Sequence, residues 1–79
     1  MTLAQAAPGQ KVRVVGRGLG RGLARHLNAL GIHGGDSIVV LRAAPFLGPL
    51  LVEVPSTGIR VAVGRGMARS VLVEPADET

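Results

Sequence analysis

Short segments that alternate aliphatic and polar side chains constrain the fold of this chain more than any other feature. Five segments show this alternation or are rich in β-branched residues: 11–14, 37–42, 50–54, 59–63 and 71–74. Such segments are typical of half-buried strands. Because a short sheet has exposed edges that closure removes, we predict a mainly β fold. The specific prediction is a small, partly open β-barrel of about five strands.

One segment, after the first strand, repeats its aliphatic side chains at the helical period instead. Its leucines on one face are Leu19, Leu23, Leu27 and Leu30. Three arginines fall on the opposite face: Arg17, Arg21 and Arg25. We predict a helix from about Arg21 to Leu30, inserted after the first strand and packed over one end of the barrel. Gly31 is predicted to end this helix in a left-handed conformation, and Ile32 is predicted to contact Leu27.

The length of 79 residues predicts one domain, which we place at residues 1–74, followed by a mobile tail at residues 75–79. The absence of cysteine excludes disulfides, thiolate metal sites and cysteine nucleophiles. No serine lies in a nucleophile-elbow sequence and the five acids form no obvious pair, so we predict that the protein is not an enzyme. With no signal-peptide pattern and no bilayer-spanning apolar stretch, we expect a cytoplasmic protein.

The formal net charge of +4 favours an acidic partner, such as a protein, a phosphate or a lipid headgroup. Phe46 is the only aromatic residue, so the stacking of bases on aromatic side chains is nearly excluded. Grooves for proline-rich peptides need tyrosine and tryptophan, which the chain lacks. We expect no DNA partner. Phosphate contacts by Arg17, Arg21 and Arg25 are a less favoured alternative.

Two histidines and a carboxylate near the end of the predicted helix are candidate metal ligands. His26, His33 and Asp36 offer the imidazole and carboxylate groups that iron(II) and zinc accept. The histidines are seven residues apart, a spacing that does not bring two ligands together by local geometry. We expect His26 to lie at the edge of the core and to bond a backbone carbonyl. No cofactor is expected, apart from weak or adventitious divalent-metal binding.

The glycine-rich segment 16–20 follows a strand and precedes a helix, as phosphate-binding loops do. It lacks the Gly-Lys-Ser/Thr ending of a Walker motif. We therefore interpret it as a flexible connection.

The connection between the second and third strands is the most apolar loop of the chain. Phe46 and Leu47 lie there between two prolines that stiffen the segment. Exposed apolar loops mark partner surfaces; the alternative is that both side chains fold back over the barrel as a lid. Together with two helix arginines, the predicted partner-binding residues are Phe46, Leu47, Leu50, Arg21 and Arg25.

Several stretches of the chain carry motifs that occur together in one family of small bacterial domains. Residues 27–40 (LNALGIHGGDSIVV) have the form L-x-x-L-G-(L/I)-x-x-G-x-x-(I/V). Residues 44–49 (APFLGP) are similar to the hairpin A-P-x-G-D-P, except that Leu47-Gly48 stands where Gly-Asp is usual. These stretches resemble the FeoA (ferrous iron transport protein A) family.

The resemblance extends from Leu3 to about Val73. Near its end, Ala68, Val71 and Val73 resemble the closing A-x-x-I-x-V strand of the family. The fold that the resemblance implies is an SH3-like barrel with one α-helix inserted after the first strand, in agreement with the fold predicted from the residues.

The function that the resemblance implies is accessory. The FeoA family is implied to act as a cytosolic partner of the ferrous iron permease FeoB, a membrane protein with a G-protein domain. Our hypothesis is a non-enzymatic interaction module for the cytoplasmic part of a FeoB-like permease, peripheral to the membrane through this partner only. The alternatives are a metal-binding or metal-sensing regulatory SH3-like module and, less favoured, a basic domain that binds nucleic acid or anionic surfaces.

Overall fold

Five strands form one antiparallel sheet in residues 1–76, the part of the chain that the computed structural model describes. In chain order the strands are β1 (Lys11–Val14), β2 (Ser37–Ala43), β3 (Leu50–Val54), β4 (Ile59–Val63) and β5 (Val73–Pro75). The helices are α1 (Arg21–Ala29), α2 (Arg65–Ala68) and a 3-10 turn at Leu3–Gln5. Across the sheet the order is β4-β3-β2-β1-β5. The predicted mainly β fold with a helix after the first strand is confirmed.

The sheet curves so that strands from its two edges share one core. Val63 of β4 and Val73 of β5 are both buried in a single apolar cluster, although three strands separate β4 from β5. The other buried members are Leu3, Ala6, Val12, Val14, Leu27, Ile32, Ile38, Val40, Leu50, Val52, Val54, Ala68 and Val71. No polar or charged residue is buried within residues 1–76, so apolar packing holds this core together. This curvature gives the partly open, SH3-like barrel.

A glycine cap ends α1 where its leucine face meets the barrel. Leu27 is buried at this contact. The N–H of Gly31 donates to the C=O of Asn28 (3.0 Å), and the N–H of Ile32 donates to the C=O of Leu27 (2.9 Å). These are the two bonds of a Schellman motif, and Gly31 has the left-handed φ of +90° that the motif needs. The predicted stop at Gly31 is confirmed.

An extra residue in β2 sets the direction in which the chain leaves the barrel. Val40 pairs with Val52 and Arg42 pairs with Leu51, so Leu41 is inserted as a β-bulge. A bulge bends its strand and increases the local twist. It also keeps Arg42 exposed on the outer face, whereas a regular ladder would turn this residue inward.

The two loops that flank α1 touch each other backbone to backbone. A Cβ placed on Gly34 would lie 2.7 Å from the Cα of Gly16. The N–H of Gly35 donates to the C=O of Val14 (2.8 Å), which fixes the second loop at the end of β1. The glycine-rich segment 16–20 is therefore a strand-to-helix connection that begins at a close packing contact.

The last strand and the predicted tail have boundaries that differ from the sequence prediction. Val71 precedes β5, and its C=O accepts the N–H of Leu3 (2.8 Å) from the N-terminal segment. β5 continues to Pro75, one residue into the predicted tail, because this residue still pairs with β1. Residues 77–79 of that tail lie outside the described residues.

Candidate interaction site

The β2–β3 hairpin, residues 44–49, is closed by a tight turn built from two bulky residues. Phe46 has a φ of +58° and Leu47 a φ of +62°. The N–H of Gly48 donates to the C=O of Pro45 (3.1 Å), which makes this a type I′ turn. Such turns favour glycine and asparagine, because a left-handed conformation costs other residues roughly 1–2 kcal/mol each. The turn therefore stores backbone strain.

The two side chains of this turn are the most exposed large apolar groups in residues 1–76. Phe46 is 98% exposed and Leu47 is 68% exposed. The other exposed large apolar residues in this range, all less than half exposed, are Met1, Ile59 and Leu72. The alternative that Phe46 and Leu47 form a lid is therefore wrong. A two-residue turn leaves too little chain for its central residues to return to the barrel.

Most backbone polar groups around this turn have a partner within the chain. The N–H of Ala44 donates to the C=O of Pro49 (3.0 Å) across the hairpin. Pro45 and Pro49 have no N–H, and the C=O groups of Ala44 and Gly48 accept hydrogen bonds from Arg65. Among the described residues 44–49, the N–H groups without an intramolecular acceptor are those of the two central turn residues.

Arg65, the first residue of α2, holds the base of the hairpin from outside it. Its Nε donates to the C=O of Gly48 (3.1 Å), and its Nη2 donates to the C=O of Ala44 (3.3 Å). The sheet explains this position, because the last residue of β4, Val63, pairs with the first residue of β3, Leu50. Sequence reasoning did not identify Arg65, since an arginine between two glycines gives no local signal. The pairing of β3 with β4 is the signal that could have found it.

Gly48 allows the two legs of the hairpin to approach each other. A Cβ at this position would lie 2.8 Å from the Cβ of Ala44 and 3.1 Å from the C=O oxygen of Pro45. The glycine of the A-P-x-G-D-P pattern would stand one position earlier, at Leu47. In this chain a leucine therefore occupies a left-handed position that suits glycine.

Leu50, one of the predicted partner-binding residues, lies in the core. Its side chain is 0% exposed, and its strand neighbours are Val63 of β4 and Ala43 of β2. The prediction that it contacts a partner is wrong, because a fully enclosed side chain offers no surface. The alternation of β3 carried the signal, since Leu50, Val52 and Val54 share one strand face.

The other two predicted contact residues, Arg21 and Arg25, are exposed on α1. Neither forms an ion pair or a side-chain hydrogen bond with another residue in the described range 1–76. They belong to a different element from the hairpin, and no hydrogen bond joins them to it. Both guanidinium groups are therefore available to an acidic partner.

Each of the three carboxylates in residues 1–76 lies close to a basic side chain other than Arg65. The pairs are Glu74 with Arg13 (3.7 Å), Asp36 with His33 (3.5 Å) and Glu53 with Arg60 (2.8 Å). No described carboxylate therefore forms an ion pair with Arg65.

The candidate metal ligands come together only in part. In the turn after α1, the N–H of His33 donates to Oδ2 of Asp36 (2.8 Å), and Nδ1 of His33 lies 3.5 Å from the same oxygen. Residues 1–76 contain no group of three histidine or acidic side chains placed to hold an ion. His26 is exposed and forms no bond to a carbonyl within this range, so its predicted core-edge position is wrong. The buried stripe of α1 is narrow, with Leu27 as its only fully buried member.

The rest of the described surface offers no enclosed binding site. No pocket opens on residues 1–76. No helix among these residues combines the length and the apolar character that crossing a membrane requires. The protruding hairpin is therefore the candidate site of this molecule.

Comparison with known proteins identifies the family. The family model of the FeoA domain matches residues 1–75. The chain belongs to the FeoA domain family. A crystal structure described as an iron uptake regulatory protein (FeoA) is 33% identical to it, with a TM-score of 0.81 and coverage of 96% of this chain and 97% of that one. A search of curated proteins found no match.

Other structures share the FeoA fold at lower identity. The solution structure of a FeoA protein from Chlorobium tepidum is 25% identical, with a TM-score of 0.81 and coverage of 100% of this chain and 73% of that one. A manganese-dependent transcriptional repressor complex with manganese is 22% identical, with a TM-score of 0.81 and coverage of 96% and 36%, which shows the fold alone. Membership of the FeoA family supports a role in ferrous iron transport. The family is a small accessory domain that is not known as an enzyme.

Proposed function

We propose that this FeoA domain is a non-enzymatic, cytoplasmic accessory protein of bacterial ferrous iron uptake. It binds the cytoplasmic part of a FeoB-like iron permease and reaches the membrane only through that partner. The Phe46–Leu47 turn is the anchor of the interface, and Arg21 and Arg25 contribute to its charged rim. The protein needs no cofactor and binds no DNA.

The observation that carries this proposal is the strained, exposed turn at the end of the hairpin. Strained backbone conformations of non-glycine residues cluster at functional sites. Phe46 and Leu47 are also the only two adjacent residues in the described chain that are both large, apolar and exposed. Burying one such side chain completely contributes roughly 1.5–3 kcal/mol. A partner that covers both therefore gains apolar burial that no other adjacent pair of residues in the described chain offers.

The test is a binding measurement between this chain and the purified cytoplasmic region of the ferrous iron permease from the same organism. The double variant F46S/L47S should raise the Kd at least about tenfold, as the loss of a hot spot does. Isothermal titration calorimetry measures this change. The matched control is Leu72→Ser, which removes a half-exposed leucine far from the hairpin in sequence and should leave the Kd within about twofold. An unchanged Kd for F46S/L47S removes the hairpin from the interface, and an absence of binding by the wild-type chain contradicts the proposal.

The arginines of α1 are expected to affect the association rate more than the dissociation rate. In the R21Q/R25Q variant two exposed charges are lost while the fold is kept. Because rim charges steer encounter, the association rate constant should fall and its dependence on ionic strength should weaken. Stopped-flow measurements between low and physiological salt detect both effects. A salt dependence equal to that of the wild-type chain excludes these two residues from the rim.

A further inference from the structure

The left-handed conformations of Phe46 and Leu47 require something that holds them, because neither residue favours this backbone region. Two hydrogen bonds of the hairpin are local, from Gly48 to Pro45 and from Ala44 to the other leg. Local bonds of this kind close hairpins of many sequences and do not by themselves select a bulky pair at the turn. The hold from outside the hairpin comes from Arg65.

Arg65 is built to act as a clamp. It begins α2, whose residue Ala68 is fully buried and thereby fixes the helix to the core. The planar guanidinium donates from two nitrogens to two carbonyl groups, Gly48 on one leg of the hairpin and Ala44 on the other. One side chain thus fixes the separation of the two legs just below the turn.

The charge of this clamp also describes the partner. A guanidinium has five N–H donors, and two of those on Arg65 bond to the hairpin. The described acids, Asp36, Glu53 and Glu74, all pair elsewhere. The base of the exposed apolar turn therefore carries a positive charge, and three N–H donors of its guanidinium do not bond to the hairpin. Arg42 adds a second, exposed positive charge on β2, the strand that leads to the turn.

We infer that Arg65 is the positioning residue of the Phe46–Leu47 turn, and that the partner offers an apolar pocket with a carboxylate at its rim. This inference rests on the proposed function for the identity of the partner. Because Arg65 already holds the turn in the shape that the partner binds, binding does not have to order it. The entropic cost of binding is lower, and the affinity is correspondingly higher. The pocket takes both apolar side chains as one unit, and the rim carboxylate meets the guanidinium.

The first experiment needs no partner. Amide hydrogen exchange of the free chain, measured by NMR, reports on the bonds of Ala44 and Gly48. Arg65→Met removes every donor of the clamp and should raise the exchange rates of these two amides by about tenfold or more. Arg42→Met is the matched control, since it removes one exposed charge on β2 and should leave both rates unchanged. Unchanged rates in Arg65→Met overturn the positioning role.

The second experiment measures the Kd for the cytoplasmic region of the permease. Arg65→Met should raise the Kd about tenfold. Arg65→Lys should recover only part of this loss, because an ammonium group cannot donate to both carbonyl groups in the planar geometry of a guanidinium. Arg42→Met should raise the Kd less than about threefold. In the F46S/L47S background, Arg65→Met should raise the Kd by a smaller factor than in the wild-type background, because only the contact with the rim carboxylate is left to lose. An equal loss in the two backgrounds means that Arg65 binds the partner without positioning the turn, and it overturns the inference. If Arg65→Met and Arg42→Met raise the Kd equally, Arg65 acts only through its charge, and the inference is overturned as well.

Two further outcomes separate this inference from the proposed function. If the wild-type chain does not bind the permease region, the proposed function and the pocket fall, while the exchange rates still decide whether Arg65 positions the turn. Vesicles of phosphatidylcholine with one-third phosphatidylglycerol test a lipid occupant by sedimentation. Sedimentation of the wild-type chain that F46S/L47S abolishes would assign the turn to a membrane surface and overturn the pocket.

Discussion

At Gly34 the backbone of one loop lies against the backbone of another, and no side-chain movement can make room there. The atom that a new Cβ would meet at 2.7 Å is the Cα of Gly16. The N–H of the next residue, Gly35, is bonded to the end of β1, so the loop cannot retreat without losing that hydrogen bond. The two loops are thus fixed at this contact, and with them the start of α1 and the start of β2.

Gly34→Ala should therefore lower the free energy of unfolding by about 1–3 kcal/mol, the usual cost of overpacking. The matched control is Gly22→Ala in α1, where a Cβ would meet nothing within 4 Å. This control should raise the free energy of unfolding by up to about 1 kcal/mol, because glycine weakens a helix relative to alanine. Urea unfolding followed by circular dichroism measures both changes. Equal stability of the two variants would contradict the close packing of the loops.

Individual residues differ in how far the sequence predicted them. Gly31 was predictable, because a helical repeat that stops at a glycine is typical of a left-handed C-terminal cap. The positive φ values of Phe46 and Leu47 were not, since nothing in the chemistry of either residue favours a left-handed backbone. Their conformation is set by the strand ends that the turn must join and by Arg65, which comes from a distant part of the chain.

At the tip of the hairpin, a stable turn and an exposed apolar surface require different residues. Its type I′ turn suits an Asn-Gly pair, and this chain has Phe46-Leu47 there instead. The strain lowers the stability of the folded chain, while the same two residues provide the apolar surface of the proposed interface. Replacing them should therefore separate the two effects.

The double variant F46N/L47G should raise the free energy of unfolding by about 1–2 kcal/mol, because both new residues accept a left-handed backbone. Its matched control is F46S/L47S, which removes the same apolar surface but gains little, since serine has a similar conformational cost. Both variants should lose binding to the permease region to the same extent. Thermal unfolding and calorimetric titration measure the two quantities. If Asn-Gly is no more stable than Ser-Ser, the wild-type turn stores no strain.

The larger elements were predicted well where the periodicity was regular. Strands β1 to β4 lie where the alternation of aliphatic and polar side chains predicted them. Helix α1 lies between β1 and β2, where the leucine repeat predicted it. The bulge at Leu41 was not predictable, because residues 38–41 form an unbroken apolar run with no change of pattern. The start of β5 was misplaced, because the N-terminal segment bonds Val71 before that strand begins.

The whole molecule depends on one apolar core that all five strands share. A domain of this size buries only about 60% of the surface that its unfolded chain exposes, so its total stability is modest. Leu50 is the first residue of β3, it pairs with residues of both β2 and β4, and its side chain is fully buried. Its loss therefore affects the barrel and not only the hairpin next to it.

Leu50→Ala should lower the free energy of unfolding by about 2–5 kcal/mol, the range for a truncated leucine in a core. Leu72→Ala, at a half-exposed position, is the matched control and should change it by less than about 0.5 kcal/mol. Urea unfolding curves of the two variants are compared directly. Similar midpoints would show that Leu50 is not part of the cooperative core.

The barrel was predictable as a whole because alternating strands in so short a chain have few ways to hide their edges. The site was predictable only in part. The sequence indicated Phe46 and Leu47 but left a lid as an equal alternative, and it added Leu50 against the alternation of its own strand. It could not indicate Arg65, whose role depends on the register between β3 and β4.

Because the bulge at Leu41 lies in β2, the direction of the hairpin can be changed without any change to residues 44–49. Deleting Leu41 leaves Val40 inside, Arg42 outside and Ala43 inside, which is the alternation of a straight strand. Such a deletion keeps every residue of the turn and removes Leu41 together with the bend and twist that it adds to β2. The Phe46–Leu47 tip would then point in a different direction from the same barrel, and both the hydrogen bonds of the hairpin to Arg65 and the affinity of the tip for a rigid receptor would report that change.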